Sequence, residues 1–341
     1  MKQRGKERTF FVLSWGRRPL MAFPEEFRGR LVEAAFACYP AHTRKKRLVR
    51  DALRAMHAAG WGRVLFRRTT RPLPAVSADD WRKWVESVQG EPVIVWPNDP
   101  ARGRVYVHLL DEHGRNRSFA KLAFDERNAR LIRNERDALE SAAAVVGGEF
   151  SVPRVLGEGA CGGICHVTVT PIPAGLRKLE AEEDDRLKRI IATYRGEART
   201  VTGEQLRAMP WWKTFAASMR RYPDFVELVA AATQRGTRVC RVHGDLNETN
   251  VLSDDRNVWL LDWERSSAEG PWRTDEICRE ADRRWPVSRR DPGAALRDFR
   301  AACWEGKPAE EQGEILAALA YLSAAEFTPA VVLAEHWPKR G

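Results

Sequence analysis

The chain has 341 residues, which is enough for two or three domains with a well-buried core. A hydrophobic fraction of 43% and a charged fraction of 30% are typical of a soluble globular protein, and no apolar run approaches the roughly 20 residues that span a bilayer. The net charge of +10 favours an anionic partner such as a membrane face, but no nucleic-acid-binding motif accompanies it, so nucleic acid is a disfavoured partner.

The first 90 residues form one compositional region. An apolar stretch at residues 10–13 is too short for the core of a signal peptide. The spacing of apolar residues predicts three helices and one strand, namely helices at residues 27–39, 48–59 and 81–88 and a strand at 64–68. We expect residues 1–90 to be an N-terminal extension, and the sequence assigns it no role.

Residues 91–173 have the pattern of a small sheet. Apolar and β-branched runs predict a three-stranded antiparallel meander, with strands at residues 92–96, 105–110 and 118–124. A helix, a glycine-rich turn and a further strand are predicted to follow, at residues 126–145, 157–163 and 165–170. Asp125 is placed to cap the helix, and the prolines and glycine of residues 171–175 predict a hinge that ends this domain.

Residues 174–341 are mostly helical in pattern. Three short strands interrupt the helices at residues 238–242, 251–252 and 259–261, and a C-terminal helix is predicted at 310–327. The predicted fold class is therefore α+β, with a small antiparallel sheet before a larger helical domain. The six cysteines form no CxxC pair, which indicates neither a zinc site nor a disulfide framework and is typical of a cytoplasmic protein.

The candidate chemistry is concentrated in the loop at residues 243–250, HGDLNETN. Asp245 follows an apolar strand, and a carboxylate at a strand exit is placed to accept a proton from an attacking hydroxyl. Asn250 supplies a hard oxygen ligand of the kind magnesium prefers, and Asp262, at the end of a later apolar strand, would bridge a metal and phosphates. This layout favours phosphoryl transfer from a metal–nucleotide complex.

Two neighbouring residues have supporting roles in this prediction. Glu264 lies two residues beyond Asp262, so an extended chain would direct both side chains to the same side and make Glu264 a further metal ligand. His243 is expected to brace the loop through hydrogen bonds rather than to transfer protons.

A second candidate group is the pair Lys121 and Glu135. Lys121 lies in the middle of a predicted strand, and Glu135 shares one face of the following helix with Ile132 and Leu139. Because an unpaired carboxylate is costly to bury, Lys121 is the expected partner of Glu135, and the pair would hold the ammonium group against nucleotide phosphates. The alternative is a glutamate at the edge of the apolar stripe that reaches water.

The chain resembles the aminoglycoside phosphotransferase and choline kinase family at two motifs, His243-Gly244-Asp245-Leu246-x-x-x-Asn250 and Leu261-Asp262-Trp263-Glu264. Protein kinases usually carry Arg at the position of Gly244 and Phe-Gly at the positions of Trp263 and Glu264, so these differences favour the small-molecule branch. The stretch from Gly270 to Asp275 is also similar to that branch, in which an Asp at this point braces the catalytic region.

The resemblance implies a bilobal protein-kinase-like fold, in which residues 91–173 form the N-lobe and 174–341 the helical C-lobe. It also implies ATP or GTP as donor, Mg²⁺ as cofactor and these residue roles: Lys121 positions phosphates, Glu135 orients Lys121, Asp245 is the base, and Asn250 and Asp262 bind metal. A glycine-rich phosphate cover is not visible. The remaining candidates for phosphate contacts are the backbone amides of Ala101, Arg102 and Gly103.

The preferred function is transfer of the γ-phosphate of ATP to a hydroxyl of a small molecule, with a sugar-like compound or a cell-surface polysaccharide precursor as the favoured acceptor. The basic charge suits an anionic acceptor and is compatible with peripheral membrane contact. The alternatives are a pseudokinase or nucleotide-gated binding module, an aminoglycoside antibiotic kinase and a protein kinase. The sequence leaves open the acceptor, the nucleotide, the oligomeric state and whether the protein is active.

Overall fold

A computed structural model of the chain describes residues 8–39, 44–97, 103–146, 148–180, 183–254 and 256–337. The chain divides into two compact units, of which the first comprises Met1–Arg133 and Pro153–Ile172 and the second Asn134–Val152 and Pro173–Gly341. The first is built around a large antiparallel sheet and the second mostly from helices, which confirms the predicted α+β class. Within the described ranges, no helix combines the length and the apolar character needed to cross a membrane.

The strands of the described residues are short to medium in length. They are β1 (Phe10–Trp15), β2 (Arg18–Pro24), β3 (Arg67–Thr69), β4 (Glu91–Val95), β5 (Arg104–Leu110), β6 (Asn116–Ala123), β7 (Phe150–Ser151), β8 (Val155–Cys161), β9 (Ile164–Val169), β10 (Arg177–Lys178), β11 (Arg199–Val201), β12 (Thr237–Val242), β13 (Val251–Ser253), β14 (Val258–Leu260) and β15 (Ser267–Pro271).

The α-helices fall into a short N-terminal set and a longer C-terminal set. They are α1 (Arg30–Cys38), α2 (Arg44–Met56), α3 (Gly62–Leu65), α4 (Ala78–Ser87), α5 (Glu126–Ala143), α6 (Asp184–Arg195), α7 (Gly203–Ala208), α8 (Pro210–Ser218), α9 (Pro223–Ala232), α10 (Thr274–Ser288), α11 (Pro292–Cys303), α12 (Ala309–Ala324) and α13 (Thr328–Glu335). A π-helical turn, His57–Trp61, joins α2 to α3, and a 3₁₀ turn, Trp263–Arg265, precedes β15.

One eight-stranded sheet organises the first unit, in the order β3-β1-β2-β4-β5-β6-β9-β8. The predicted meander is confirmed as β4, β5 and β6, which pair antiparallel in sequence order. Strand β2 pairs with β4 through Met21 opposite Val95, so strands from the first 70 residues continue the same sheet. The predicted cap of the following helix is also present, because Asp125 Oδ1 accepts the Asn128 amide at 2.8 Å.

The β1–β2 hairpin was not anticipated. The apolar stretch at residues 10–13 is β1, and its side chains are buried although no alternation marks it as a strand. A strand covered on both faces reads as a continuous apolar run, which periodicity does not distinguish from other buried segments. Gly16, with φ +60°, forms the turn that reverses the chain toward β2.

Two predictions in this unit are wrong in part. The strand predicted at residues 64–68 begins as helix α3 and becomes β3 only at Arg67, because Phe66 is the first extended residue and buries its ring in the core. The glycine-rich turn predicted at residues 157–163 is mostly strand β8, paired with β9, and only Gly162 and Gly163 form the turn. Both have positive φ, as the tight two-residue hairpin turn requires.

The second unit contains two small sheets among its helices. Strands β10, β13, β14 and β7 form one, and β11, β12 and β15 form the other. In the first sheet β7 pairs in parallel with β14, with Phe150 opposite Val258. In the second, β12 lies between β11 and β15. These sheets hold the ends of β12, β13 and β14, where the polar loop residues begin.

Helix α12 is the centre of the helical core. Its residues from Gly313 to Ser323 are all buried, as expected for a helix that neighbouring helices and strands cover on every side. Gly313 allows this packing, since a Cβ there would stand 2.7 Å from the Ala232 carbonyl oxygen. The buried Glu314 is bonded to Arg238 and Arg273 on neighbouring elements. The helix predicted at residues 310–327 is thereby confirmed and identified as the core of its unit.

Candidate functional site

Strand pairing in the second unit brings the two motifs together. β13 and β14 form a short antiparallel hairpin in which Val251 pairs with Leu260. Beyond this pair, the Leu261 amide donates to the Asn250 carbonyl at 2.9 Å. Asn250 and Asp262 therefore lie at the same end of the hairpin, on either side of one hydrogen bond.

The loop between β12 and β13 is closed by its own side chains. Asn250 Nδ2 donates to the Asp245 carbonyl at 2.9 Å, and Asn247 Oδ1 accepts the Thr249 amide at 2.8 Å. Asn247 Nδ2 also donates to Asp245 Oδ1 at 2.9 Å, so it fixes both the turn and the carboxylate. The sequence analysis did not identify Asn247. The available signal was the residue type, since an Asn side chain in a loop commonly accepts the backbone amide two residues later.

His243 is fully buried at the start of this loop. The Asp245 amide donates to Nδ1 at 3.3 Å, so Nδ1 is an acceptor and Nε2 carries the hydrogen that is donated to the Leu261 carbonyl at 3.0 Å. The ring also contacts the Trp263 ring, with centroids 4.5 Å apart. Both ring nitrogens are thus engaged with backbone groups, and His243 links the loop to the strand that precedes Asp262.

Gly244 has a backbone conformation that only glycine adopts without strain in this place. Its φ is +79°, and a Cβ would stand 2.2 Å from the Arg265 carbonyl oxygen. That same oxygen accepts the Tyr321 hydroxyl at 2.8 Å, so it is held in place from the other side. The close approach gives a structural reason for glycine where protein kinases usually carry arginine.

Asp275, in the first turn of α10, is fully buried and binds the backbone at the start of the loop. Its Oδ1 accepts the Gly244 amide at 2.9 Å, and its Oδ2 accepts the His243 amide at 3.1 Å and the Tyr194 hydroxyl at 2.7 Å. Burial and the Asp275 charge raise the pKa of Tyr194 well above its usual range, which keeps this hydroxyl a donor. Tyr194 was not identified from the sequence, because no local pattern links α6 to α10.

Three carboxylates converge near the end of β14. Glu135, Asp262 and Glu264 each offer an oxygen, and these oxygens lie within 4.8 Å of one another. Glu135 and Glu264 are buried. Since like charges repel at this range, and since oxygen donors suit a hard divalent cation, the residues present fit Mg²⁺.

The backbone from Asp262 to Glu264 is not extended, so the prediction of an extended chain at Glu264 is wrong. Asp262 is left-handed, with φ 64° and ψ 59°, and Trp263–Arg265 forms a 3₁₀ turn. A non-glycine residue in this region stores strain of the kind found at functional sites. Asn134 Nδ2 holds the turn by donating to the Glu264 carbonyl at 2.9 Å and to the Ser266 carbonyl at 3.0 Å. Glu264 therefore reaches the group through a tight turn.

Asp245 has an unusual acidity for a carboxyl group. Burial raises its pKa to about 7, and the charges of Asp262 and Glu264 add to the rise, whereas Arg265 and the Asn247 hydrogen bond oppose it. Hydrogen bonds from Asn250 Nδ2 to the Asp245 carbonyl and from the Leu261 amide to the Asn250 carbonyl hold Asp245 at the end of the hairpin where Asp262 lies. A carboxyl group that titrates near neutral pH is suited to general-base chemistry.

The remaining predicted residues lie in the first unit. Lys121 is buried in β6, where its neighbours across the sheet are Tyr106 and Val167. Lys121 and Glu135 belong to different units, and their pairing stays a prediction.

The predicted phosphate turn is described only at its last residue. Ala101 and Arg102 lie outside the described residues. Gly103, with φ +57°, packs against the cap of α5, where a Cβ would stand 2.3 Å from Asp125 Oδ2. This contact explains the glycine by packing, and its predicted contact with phosphate stays untested.

Comparison with known proteins finds similarity in structure. No protein-family model matches the sequence, and no curated protein matches it. A thermostable mutant of the aminoglycoside phosphotransferase APH(4)-Ia, in a ternary complex with ADP and hygromycin B, is similar at 12% identity and a TM-score of 0.44, over 76% of this chain and 96% of that one. A putative fructosamine-3-kinase from Thermobifida fusca is similar at 17% identity and a TM-score of 0.44, over 72% and 91%.

A third similar structure is the amicoumacin kinase hAmiN in complex with AMP-PNP, Ca²⁺ and Ami. It is 11% identical, with a TM-score of 0.44, over 77% of this chain and 88% of that one. By their names these proteins are phosphotransferases and kinases. At such identities and TM-scores the likeness assigns no role to any residue of this chain.

Proposed function

We propose that this protein is a magnesium-dependent phosphotransferase that moves the γ-phosphate of ATP to a hydroxyl group of a small molecule. The observation that carries the proposal is the geometry at one end of the β13–β14 hairpin. Asn250, whose side chain bonds to Asp245, lies there beside Asp262, which belongs to a group of three carboxylates that fits a divalent cation. A base for the hydroxyl and a cation for the phosphates are the two requirements of phosphoryl transfer to an alcohol.

In the proposed reaction, Asp245 accepts the proton of the acceptor hydroxyl as the hydroxyl oxygen attacks the γ-phosphorus. The bond from the γ-phosphorus to the oxygen that bridges it to the β-phosphate breaks, and ADP leaves. A base with a pKa near the working pH combines a useful fraction of the charged form with sufficient proton affinity. The bond from Asn247 to Asp245 Oδ1 fixes the rotation of the carboxylate, which assigns Oδ2 to the hydroxyl. His243 and Asp275 hold the backbone of the loop and have no proposed part in proton transfer.

ATP or GTP would supply the phosphoryl group. Mg²⁺, when bound, would supply positive charge that offsets the negative charge of the phosphates. We assign the cation to the amide oxygen of Asn250 and to two of the three grouped carboxylates, Asp262 and Glu264, while Glu135 is assigned to Lys121. Asn250 fits this role because its Nδ2 is engaged with the Asp245 carbonyl, which leaves its Oδ1 as the group to face a cation. Contact of Lys121 with the nucleotide phosphates, supported by Glu135, is proposed on the sequence resemblance.

A small molecule is the proposed acceptor, with sugar-like hydroxyl compounds and polysaccharide precursors as the favoured class. Gly244, Trp263 and Glu264 stand where protein kinases usually carry Arg, Phe and Gly. Gly244 and Trp263 are also packed into the loop, so replacing them with the protein-kinase residues would disturb its backbone. These features support a small-molecule enzyme over a protein kinase.

A screen of acceptors tests the proposal directly. Purified protein is incubated with Mg²⁺, ATP labelled at the γ-phosphate and pools of sugars, aminoglycosides and other hydroxyl metabolites. The expected result is label on a metabolite, lost in Asp262→Asn. Label on polypeptide would favour a protein kinase. Nucleotide binding without transfer to any pool would favour a nucleotide-gated binding module.

A further inference from the structure

The positive charge of the chain is concentrated in one short segment. Residues 44–68 contain nine basic residues and one acidic residue, a net charge of +8, against +10 for the whole chain. The rest of the protein is therefore nearly neutral. This segment comprises α2, the turn His57–Trp61, α3 and most of β3.

The same segment carries most of the exposed apolar side chains. Among the described residues, eleven large apolar side chains are exposed by 37% or more, and six of them are Leu48, Val49, Met56, Trp61, Val64 and Leu65. Leu48, Trp61 and Val64 are exposed by 63%, 56% and 78%. Isolated exposed apolar residues are ordinary, whereas a concentration of this kind marks an interaction surface.

Among the described residues, the segment is anchored by one of its sides to a core formed by β1, β2 and α1. The His57 ring lies among the rings of Phe11, Phe23, Phe36 and Phe66, with centroids 5.6–6.2 Å away. Leu53 packs against the same core. Leu48, Ala52 and Met56 follow the i, i+4, i+8 spacing of another helix face, which is the exposed one. Gly60, with φ +89°, then turns the chain so that Trp61 and Val64 continue the exposed region.

Arginines border this apolar face. Arg44, Arg47 and Arg54 of α2 and Arg67 of β3 are all exposed. A helical segment with exposed Leu, Met and Trp between basic residues is suited to the interface of an anionic bilayer, where apolar side chains enter the acyl boundary and arginines meet lipid phosphates. Nucleic acid would attract the same charge but would leave aliphatic side chains such as Val64 in water.

We propose that residues 44–68, here called the basic apolar face, dock the protein on an anionic membrane surface. The positive charge is complementary to acidic headgroups. The exposed apolar side chains can enter the acyl boundary, a contact that a purely electrostatic partner does not offer. This inference is independent of the proposed phosphotransferase activity, because it concerns a different segment and its test needs no nucleotide.

Sedimentation of the full-length protein with lipid vesicles tests the proposal. Vesicles of phosphatidylcholine are compared with vesicles in which one third is phosphatidylglycerol, and we expect binding to the acidic vesicles only. The double variant Leu48→Ser, Val64→Ser and the double variant Arg47→Gln, Arg54→Gln are each expected to lower the partition coefficient by roughly tenfold or more. All four side chains are exposed, so melting temperatures should match that of the native chain.

Matched controls come from elsewhere on the protein. Leu156→Ser, Ile172→Ser removes side chains that are 52% and 45% exposed, and Arg220→Gln, Arg221→Gln removes two exposed charges. Both controls should bind acidic vesicles as the native chain does. Equal binding to neutral and acidic vesicles, or equal losses in the controls, would overturn the proposal. So would binding to duplex DNA or RNA that falls with the arginine variant and is unchanged in the serine variant, since that pattern identifies a nucleic-acid surface.

Discussion

The loop at residues 243–250 and the start of α10 each contribute an acidic side chain to the second unit, and the two are held in opposite ways. Asp275 accepts three hydrogen bonds, two of them from the backbone of the loop. Asp245 accepts one side-chain bond, and burial, together with the charges of Asp262 and Glu264, disfavours its charged form. The first arrangement stabilises the fold, and the second keeps a reactive group at a cost in stability.

The largest expected effect is on catalysis. Asp245→Asn keeps the shape of the side chain and its bond partner but removes the proposed base, so phosphoryl transfer should fall by about 10²–10⁴-fold. Nucleotide affinity, measured by calorimetry with Mg²⁺ present, should stay within a few-fold of the native value. Phosphoryl transfer at the native rate in Asp245→Asn would show that Asp245 is not the base.

A large effect on stability is expected at the other carboxylate. Asp275→Ala leaves the His243 amide, the Gly244 amide and the Tyr194 hydroxyl buried without this acceptor, which should lower the free energy of unfolding by about 3 kcal/mol or more. Urea denaturation measures the change. Asp282→Ala is the control, since Asp282 is less buried and accepts the Glu248 amide, and it should cost about 1 kcal/mol. Similar costs in both variants would contradict the special role of Asp275.

The backbone between the two carboxylates offers a third test. Gly244→Ala places a methyl group against the Arg265 carbonyl in a left-handed conformation, and we expect a loss of about 2 kcal/mol or more together with reduced transfer. Gly306→Ala is a matched control, because Gly306 has φ +74° and open space around its missing Cβ, so only the backbone cost of about 1 kcal/mol applies. Equal losses would mean that the contact with Arg265 is of no consequence.

The smallest expected effect concerns pH. Asp245 has a pKa of about 7 in the folded chain and about 3.9 when unfolded, so the folded state binds more protons between these values and stability falls as the pH rises through this window. Urea denaturation is measured with divalent cations removed by a chelator. At pH 8 the free energy of unfolding of Asp245→Asn should exceed that of the native chain by about 1 kcal/mol or more. Near pH 4 this difference should vanish. A difference that does not vary with pH would contradict the raised pKa.

The grouping of Asp245, Asn250 and Asp262 was accessible from sequence because it depends on local structure. A polar loop followed by a two-stranded hairpin is encoded within twenty residues, and pairing of β13 with β14 sets both ends side by side. Asp275 was found only through the family resemblance. Its bond to Tyr194 spans 81 residues, and nothing in the pattern of either helix indicates it.

Tertiary context explains the strand errors. The β1–β2 hairpin is apolar on both faces because α1 and α4 cover opposite sides of the sheet, with Phe36 on one side and Trp84 on the other. Gly157 and Gly159 read as turn residues, yet both sit in β8, where pairing with β9 overrides their preference. Local propensity and periodicity indicate neither the helices that cover the β1–β2 hairpin nor the pairing of β8 with β9.

The β2–β4 pairing has a practical consequence for anyone who shortens the protein. A fragment starting at residue 91 would keep both motifs but lose the neighbour of β4, exposing backbone hydrogen-bonding groups along an edge strand. Val93 and Ile94, fully buried in the intact chain, would then be partly uncovered. Such a fragment is expected to aggregate, so expression trials aimed at the motif-bearing portion should retain the amino-terminal hairpin.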